Sequence, residues 1–232
     1  MLAGVHLRLG RAAVASGAWK TATEHVELAR GQATEHTDAE LSARVEVLAA
    51  QVAMGEHQLG QAAEHAQLAL GIAEPAGPAD VICESLEILG RQARQSDLMR
   101  AEDYFERSRQ VAERHGLRLW EVRGLHELGS IDLLTCAGRD RLVRARDGAL
   151  RLGALATAAV VDLQLALSLG NRAALLDQSF EAAVRCAETS PPAAAGQSAA
   201  DGADHAGRRL RLAGSARADG GRGDPGVGPG AR

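Results

Sequence analysis

A small-residue motif returns through most of this chain at nearly constant intervals, and that alone excludes most folds. The pair Leu9-Gly10 recurs as Leu89-Gly90 and Leu128-Gly129, with Ala49-Ala50 and Leu165-Ala166 filling the gaps. The second members stand at 10, 50, 90, 129 and 166, so the steps are 40, 40, 39 and 37 residues. A period in this range marks a chain built of stacked supersecondary units.

Each unit repeats one pattern. Around the motif runs a helical spacing, as in Leu117, Trp120, Gly124, Leu128 and Ile131, where apolar or small residues recur every three or four positions. A break follows, at Ser16-Gly17, Met54-Gly55-Glu56, Gln95-Ser96-Asp97, Ala137-Gly138 and Gly170-Asn171. Gly and Asn there are expected to supply the left-handed residue that ends a helix. A second helical pattern comes next, as in Leu98, Ala101, Phe105, Ser108 and Ala112. Pro and Gly punctuate the links between units, at Glu74-Pro75-Ala76-Gly77-Pro78 and His115-Gly116. Each unit is therefore a helix hairpin, whose small residue lets the second helix approach the backbone of the first.

Composition agrees. Aromatics are 2% of a chain that is 46% hydrophobic, so the core is Ala, Leu and Val, which suit close helix packing. Strand-rich folds draw on aromatic and β-branched residues that are scarce here. The expected fold is all-α: a right-handed α-solenoid of about five helix hairpins over residues 1–188.

The offsets resemble the tetratricopeptide pattern of a Leu-Gly pair followed by small residues in the second helix. Leu9-Gly10, Ala13, Ala22, Val26 and Ala29 fit it, as do Ala50, Ala53, Ala62, Ala66, Ala69 and Pro75, and then Leu89-Gly90, Ala93, Ala101 and Phe105. The departure is the period, near forty instead of thirty-four. The stretches AERHGLRLWEVRGLHELGSIDLL and GRDRLVRARDGALRLGALATAAVVDLQLALSLG resemble the helical region of large actinobacterial LuxR-family regulators of the MalT-like kind. In that family a nucleotide-binding domain precedes the repeats and a helix-turn-helix follows them. The resemblance implies a sensor or interaction region whose partners are a protein or peptide segment, or the other domains of a parent regulator. A freestanding interaction adaptor is the alternative.

Neither flanking domain is visible. Lys20 is the one lysine and follows Ala18-Trp19, which excludes a phosphate-binding loop ending in Gly-Lys-Ser/Thr. The chain opens inside a helical pattern with no capping residue, as though a piece of a longer protein. From Pro191 the large aliphatics are reduced to Leu210, Leu212 and Val227 among Gly, Ala, Arg and Asp. Such a segment cannot bury enough apolar surface to offset chain entropy, so residues 189–232 read as a disordered tail. An out-of-frame translation and a natural flexible terminus are the two accounts of it.

Catalytic signals are weak. His126-Glu127 lacks a second His at the fourth position, which is Ser130, so it is not a zinc-protease motif and reads as a polar position beside a groove. Glu24-His25, Glu35-His36, Glu56-His57 and Glu64-His65 are irregularly spaced and read as solvated surface. Arg139 to Arg146, broken by Leu142, Val143 and Ala145, reads as a helix face with local ion pairs. Cys83, Cys136 and Cys186 are odd in number and far apart, which suggests reduced, buried, structural thiols in a cytoplasm. No metal, cofactor or catalytic residue is assigned. A net charge of −4 gives no reason to expect direct nucleic-acid binding or an anionic membrane surface.

A groove remains. If the first helices line a concave face, it carries Arg44, Gln51, Glu84, Glu87, Arg91, Arg94, Arg123, His126 and Ser130. Mixed charge at helix-surface spacing suits a peptide or protein segment. The open faces of terminal hairpins also predict self-association.

Overall fold

The computed structural model describes residues 2–32, 39–75, 77–170 and 176–189. Among them lie ten helices: α1 (Leu2–Ala15), α2 (Trp19–Gln32), α3 (Ala39–Gly55), α4 (Leu59–Ala73), α5 (Ala79–Ala93), α6 (Leu98–His115), α7 (Arg118–Leu134), α8 (Asp140–Arg151), α9 (Leu155–Gly170) and α10 (Leu176–Thr189). They pair as five hairpins, α1/α2 through α9/α10, and no strand occurs among the described residues. The fold is an all-α helical repeat. The tail beyond residue 189, Asn171 and Glu35-His36 lie outside the described residues.

Each helix packs on the next along the chain, and the first helices also meet one another: α1 with α3, α3 with α5, α5 with α7 and α7 with α9. They form one continuous layer. The core follows the expected small residues, with Ala22, Val26 and Ala29 buried in the first hairpin, Ala62, Ala66 and Ala69 in the second, and Ala101 and Phe105 in the third. Leu9 departs from the pattern and is 46% exposed, because no described hairpin packs over that face of α1. Pro75 is also exposed.

Gly90 and Gly129 act as expected. A Cβ on Gly90 would collide with the Phe105 ring of α6, and a Cβ on Gly129 would come within 2.8 Å of the Leu142 backbone nitrogen of α8. At Gly10 the crowding comes from the next hairpin instead, with Leu48 at 2.7 Å.

Five helix ends share one turn, in which an N–H bonds back across six residues. The pairs are Ala18 to Ala13 at 2.9 Å, Gln58 to Ala53 at 2.8 Å, Leu117 to Ala112 at 2.9 Å, Ala137 to Asp132 at 2.8 Å and Ala154 to Ala149 at 2.9 Å. The geometry requires a left-handed residue just before the donor. Gly17, Gly116 and Gly153 supply it in three turns, but His57 (φ 61°) and Cys136 (φ 60°) supply it in the other two. Gly55 does not, because it stays inside α3, where its bare Cα lies against the Trp19 ring. The turn after α5 has no left-handed residue: Arg94 is right-handed, and Asp97 caps α6 by accepting from the Arg100 N–H at 3.0 Å.

Cys83 is buried as expected, and burial pushes its thiol up to about 11. Cys136 is not. It is exposed at the left-handed turn position, where no packing surrounds it. The Cys186 side chain lies outside the described residues.

Candidate functional site

The residues assigned to the groove are tied up in side-chain pairs, some with one another and some with Asp80, Glu127 and Gln164. Arg44 lies on α3 and reaches Asp80 of α5, with Nη1 at 2.8 Å from Oδ2 and Nη2 at 3.3 Å from Oδ1. Gln51 donates from Nε2 to Glu84, which also accepts from Arg11 of α1 at 3.3 Å. Arg123 of α7 grips Glu87 of α5 with two N–H groups, at 2.8 and 2.7 Å. Arg91 bridges Glu87 at 2.8 Å and Glu127 at 2.6 Å, and Arg94 adds a bond to Glu127 at 2.7 Å. At the far end, His126 meets Gln164 of α9 at 3.0 Å, and the Ser130 hydroxyl donates to the same oxygen at 3.1 Å. A polar ladder thus ties all five first helices together.

Its partners are unequal in exposure. Glu84, Glu87 and Glu127 are 6%, 4% and 3% exposed, whereas the side chains of Arg11, Arg91 and Arg123 are 42%, 37% and 33% exposed. These three carboxylates are the floor of the ladder and their guanidiniums its outer edge, whereas in the Arg44–Asp80 pair the two side chains are 26% and 34% exposed. The Arg123 guanidinium also lies 4.1 Å from the Trp120 ring centre, which a cation favours.

Electrostatics follows the pairing. Burial pushes the Glu84 carboxyl up, with only partial opposition from Arg11. Burial acts in the same sense on Glu127, but Arg91 and Arg94 overcome it and hold the carboxyl below its ordinary range. Arg44 does the same for Asp80 against burial. Burial depresses His126, so its imidazole is neutral near pH 7.

Sequence reasoning missed Arg11, Asp80, Glu127 and Gln164. Glu127, expected as a polar position beside the groove, is the most buried acid of the ladder. A signal was present: Arg44 and Asp80, Glu87 and Arg123, and Arg91 and Glu127 are oppositely charged pairs, each 36 residues apart. Two of the Glu-His dipeptides are also more than solvated surface. His65 meets Glu46 at 2.7 Å, and Glu46 accepts from Arg30 at 3.1 Å. His25 of α2 meets His6 of α1.

The basic run on α8 makes local ion pairs, Arg141 with Asp132 and Glu102 at 3.1 Å and Arg146 with Asp147 at 3.2 Å. Arg146 also donates to Asp162 of α9 at 2.7 Å, and that carboxylate is fully buried. One cleft of about 230 Å³ lies among α2, α3 and α4, lined in part by Arg30, Val52, Glu56 and His65. Among the described residues, no group of three or more His, Cys, Asp or Glu is placed to hold a metal ion. No described helix is long and apolar enough to cross a membrane.

No protein-family model and no curated protein matches the chain. Among solved structures it is similar to BtubC (BKLC) from P. vanneervenii at 18% identity and a TM-score of 0.41, over 97% of this chain and 84% of that one.

Proposed function

We propose that this chain is a non-enzymatic interaction region, of the kind that serves as the sensor segment of LuxR-type transcriptional regulators, and that its first helices receive a protein segment. The observation that supports this reading is the asymmetry of the ladder. Glu84, Glu87 and Glu127 are buried while a row of guanidinium edges from Arg11, Arg91 and Arg123 stays open. Such a row suits an extended acidic segment, because guanidinium offers two parallel N–H donors to each carboxylate. The charges are satisfied by each other along the helices and are not gathered around a cavity, which favours recognition over catalysis.

The binding test is fluorescence anisotropy with a labelled oligoglutamate peptide and an oligolysine control. Binding of the acidic peptide that weakens with salt, and weakens again in Arg91→Ala and Arg123→Ala, supports the reading. Equal affinity for both peptides, or affinity unchanged in both variants, overturns it. The link to a regulator is tested at the locus: an adjoining reading frame that encodes a helix-turn-helix supports it, and closed frames on both sides favour the freestanding adaptor.

A further inference from the structure

We propose that His6 and His25 form a two-imidazole chelate for a borderline divalent transition ion, Cu²⁺ or Zn²⁺. The pair lies apart from the ladder, and the inference does not depend on the function proposed above. His6 is on α1 and His25 on α2, both are half-buried, and their Nδ1 atoms stand 3.1 Å apart. The ring centres are 5.3 Å apart and the planes are tilted by 34°.

At that separation one Nδ1 carries a proton and the other presents its lone pair. The same spacing is the bite of a metal. Bonds of about 2.0–2.1 Å, at angles between square-planar and tetrahedral, place two imidazole nitrogens roughly 2.9–3.4 Å apart. Once the donor ring takes its Nε2–H tautomer, both Nδ1 lone pairs are free, and an ion can bind them by ring rotation with both helices left in place.

Those helices are held firmly. Ala13, Ala22, Val26 and Ala29 are buried between them, the turn at Gly17 closes with the Ala18–Ala13 bond, and a Cβ on Gly10 would lie only 3.4 Å from the His25 Cβ. Two neutral imidazoles select Zn²⁺, Cu²⁺ or Ni²⁺ over Mg²⁺ and Ca²⁺, which prefer oxygen. With no third protein ligand among the described residues, water fills the other positions. The site is open and exchangeable, unlike a closed structural zinc site.

The test adds one equivalent of Cu²⁺ alone to the full chain and records its electron paramagnetic resonance spectrum. Two bound imidazole nitrogens are expected. Calorimetric titration with Zn²⁺ follows, on the wild type and on His6→Asn and His25→Asn, each of which leaves the other histidines intact. Each variant is expected to lose about tenfold or more in affinity, and Zn²⁺ is expected to raise the melting midpoint of the wild type only. A first equivalent without two-nitrogen coupling, or Zn²⁺ affinity equal in all three proteins, overturns the proposal. The spectrum needs only the wild type, so a variant that fails to fold does not block the decision.

Discussion

Arg91 and Glu127 are 36 residues apart in sequence, yet the guanidinium Nη2 and the carboxylate Oε1 stand 2.6 Å from each other across two neighbouring first helices. Arg94 closes on the second oxygen at 2.7 Å, so the carboxylate is bound on both sides and almost without access to water. Removing one member of a buried pair is costly, because the survivor is left charged and unpaired. Here the survivors are arginines that can still turn toward solvent. Glu127→Ala is therefore expected to lower stability by about 2 kcal/mol, below the figure for a fully enclosed pair. Urea denaturation checks it, and a loss under about 0.5 kcal/mol, the level of ordinary surface changes, would mean that the ladder contributes little.

Acid should weaken the fold in two stages. Burial holds His126 below its ordinary value, so the unfolded chain binds this proton more readily, and stability falls as pH drops below the unfolded value of about 6.5. Glu127 and Asp80 are also depressed, so their contribution is complete above the unfolded carboxylate range and is lost as pH falls through their lower folded values. Glu84 is shifted the other way by burial, so the folded chain takes up this proton first and gains stability as pH falls toward the unfolded carboxylate range, ahead of the second stage. Urea midpoints measured between pH 7 and pH 5 should decline in the wild type and decline less in His126→Gln.

His57 and Cys136 hold left-handed backbone that glycine adopts freely. An L side chain there costs about 1–2 kcal/mol, part of which glycine returns through its more flexible unfolded state. His57→Gly and Cys136→Gly are each expected to stabilise by about 0.5–1 kcal/mol. Thermal melts of the two single variants provide the check, and a lowered midpoint in both would show that the side chains matter more than the turn.

Two helical glycines should respond in opposite directions to alanine. Gly129 faces the Leu142 backbone, which cannot yield cheaply, whereas nothing lies within 4 Å of a Cβ on Gly71. Gly129→Ala should cost about 1–3 kcal/mol through overpacking, and Gly71→Ala should gain about 0.5–1 kcal/mol from helix propensity. The same melts decide, and equal shifts would refute the packing account.

The hairpins were legible because their signal is local. Small residues at Gly90 and Gly129, and the turns at Gly17 and Gly116, announce themselves within a few positions. The exceptions had physical reasons. Leu9 looked like core by its motif but lies on the first described hairpin, on a face that no described helix covers. His57 and Cys136 took a glycine's place, which composition does not reveal. That these residues share a face of the first helices was readable, but their pairing was not, because helical spacing tells which side a residue faces and not what it meets there. The repeat advances by nearly forty residues while the ion pairs advance by 36. Each partner thus sits about one helical turn before the equivalent position, a stagger that belongs to the packing of parallel helices.

Glu84 accepts from Gln51 of α3 and from Arg11 of α1, so one carboxylate on α5 reaches across an intervening helix. Packed helices stand about 8–10 Å apart, so Arg11 has to extend past the width of α3 to meet that carboxylate. A pull that parted α1 from α5 would load this ion pair directly, which makes Glu84 a strain gauge for the first three members of the layer.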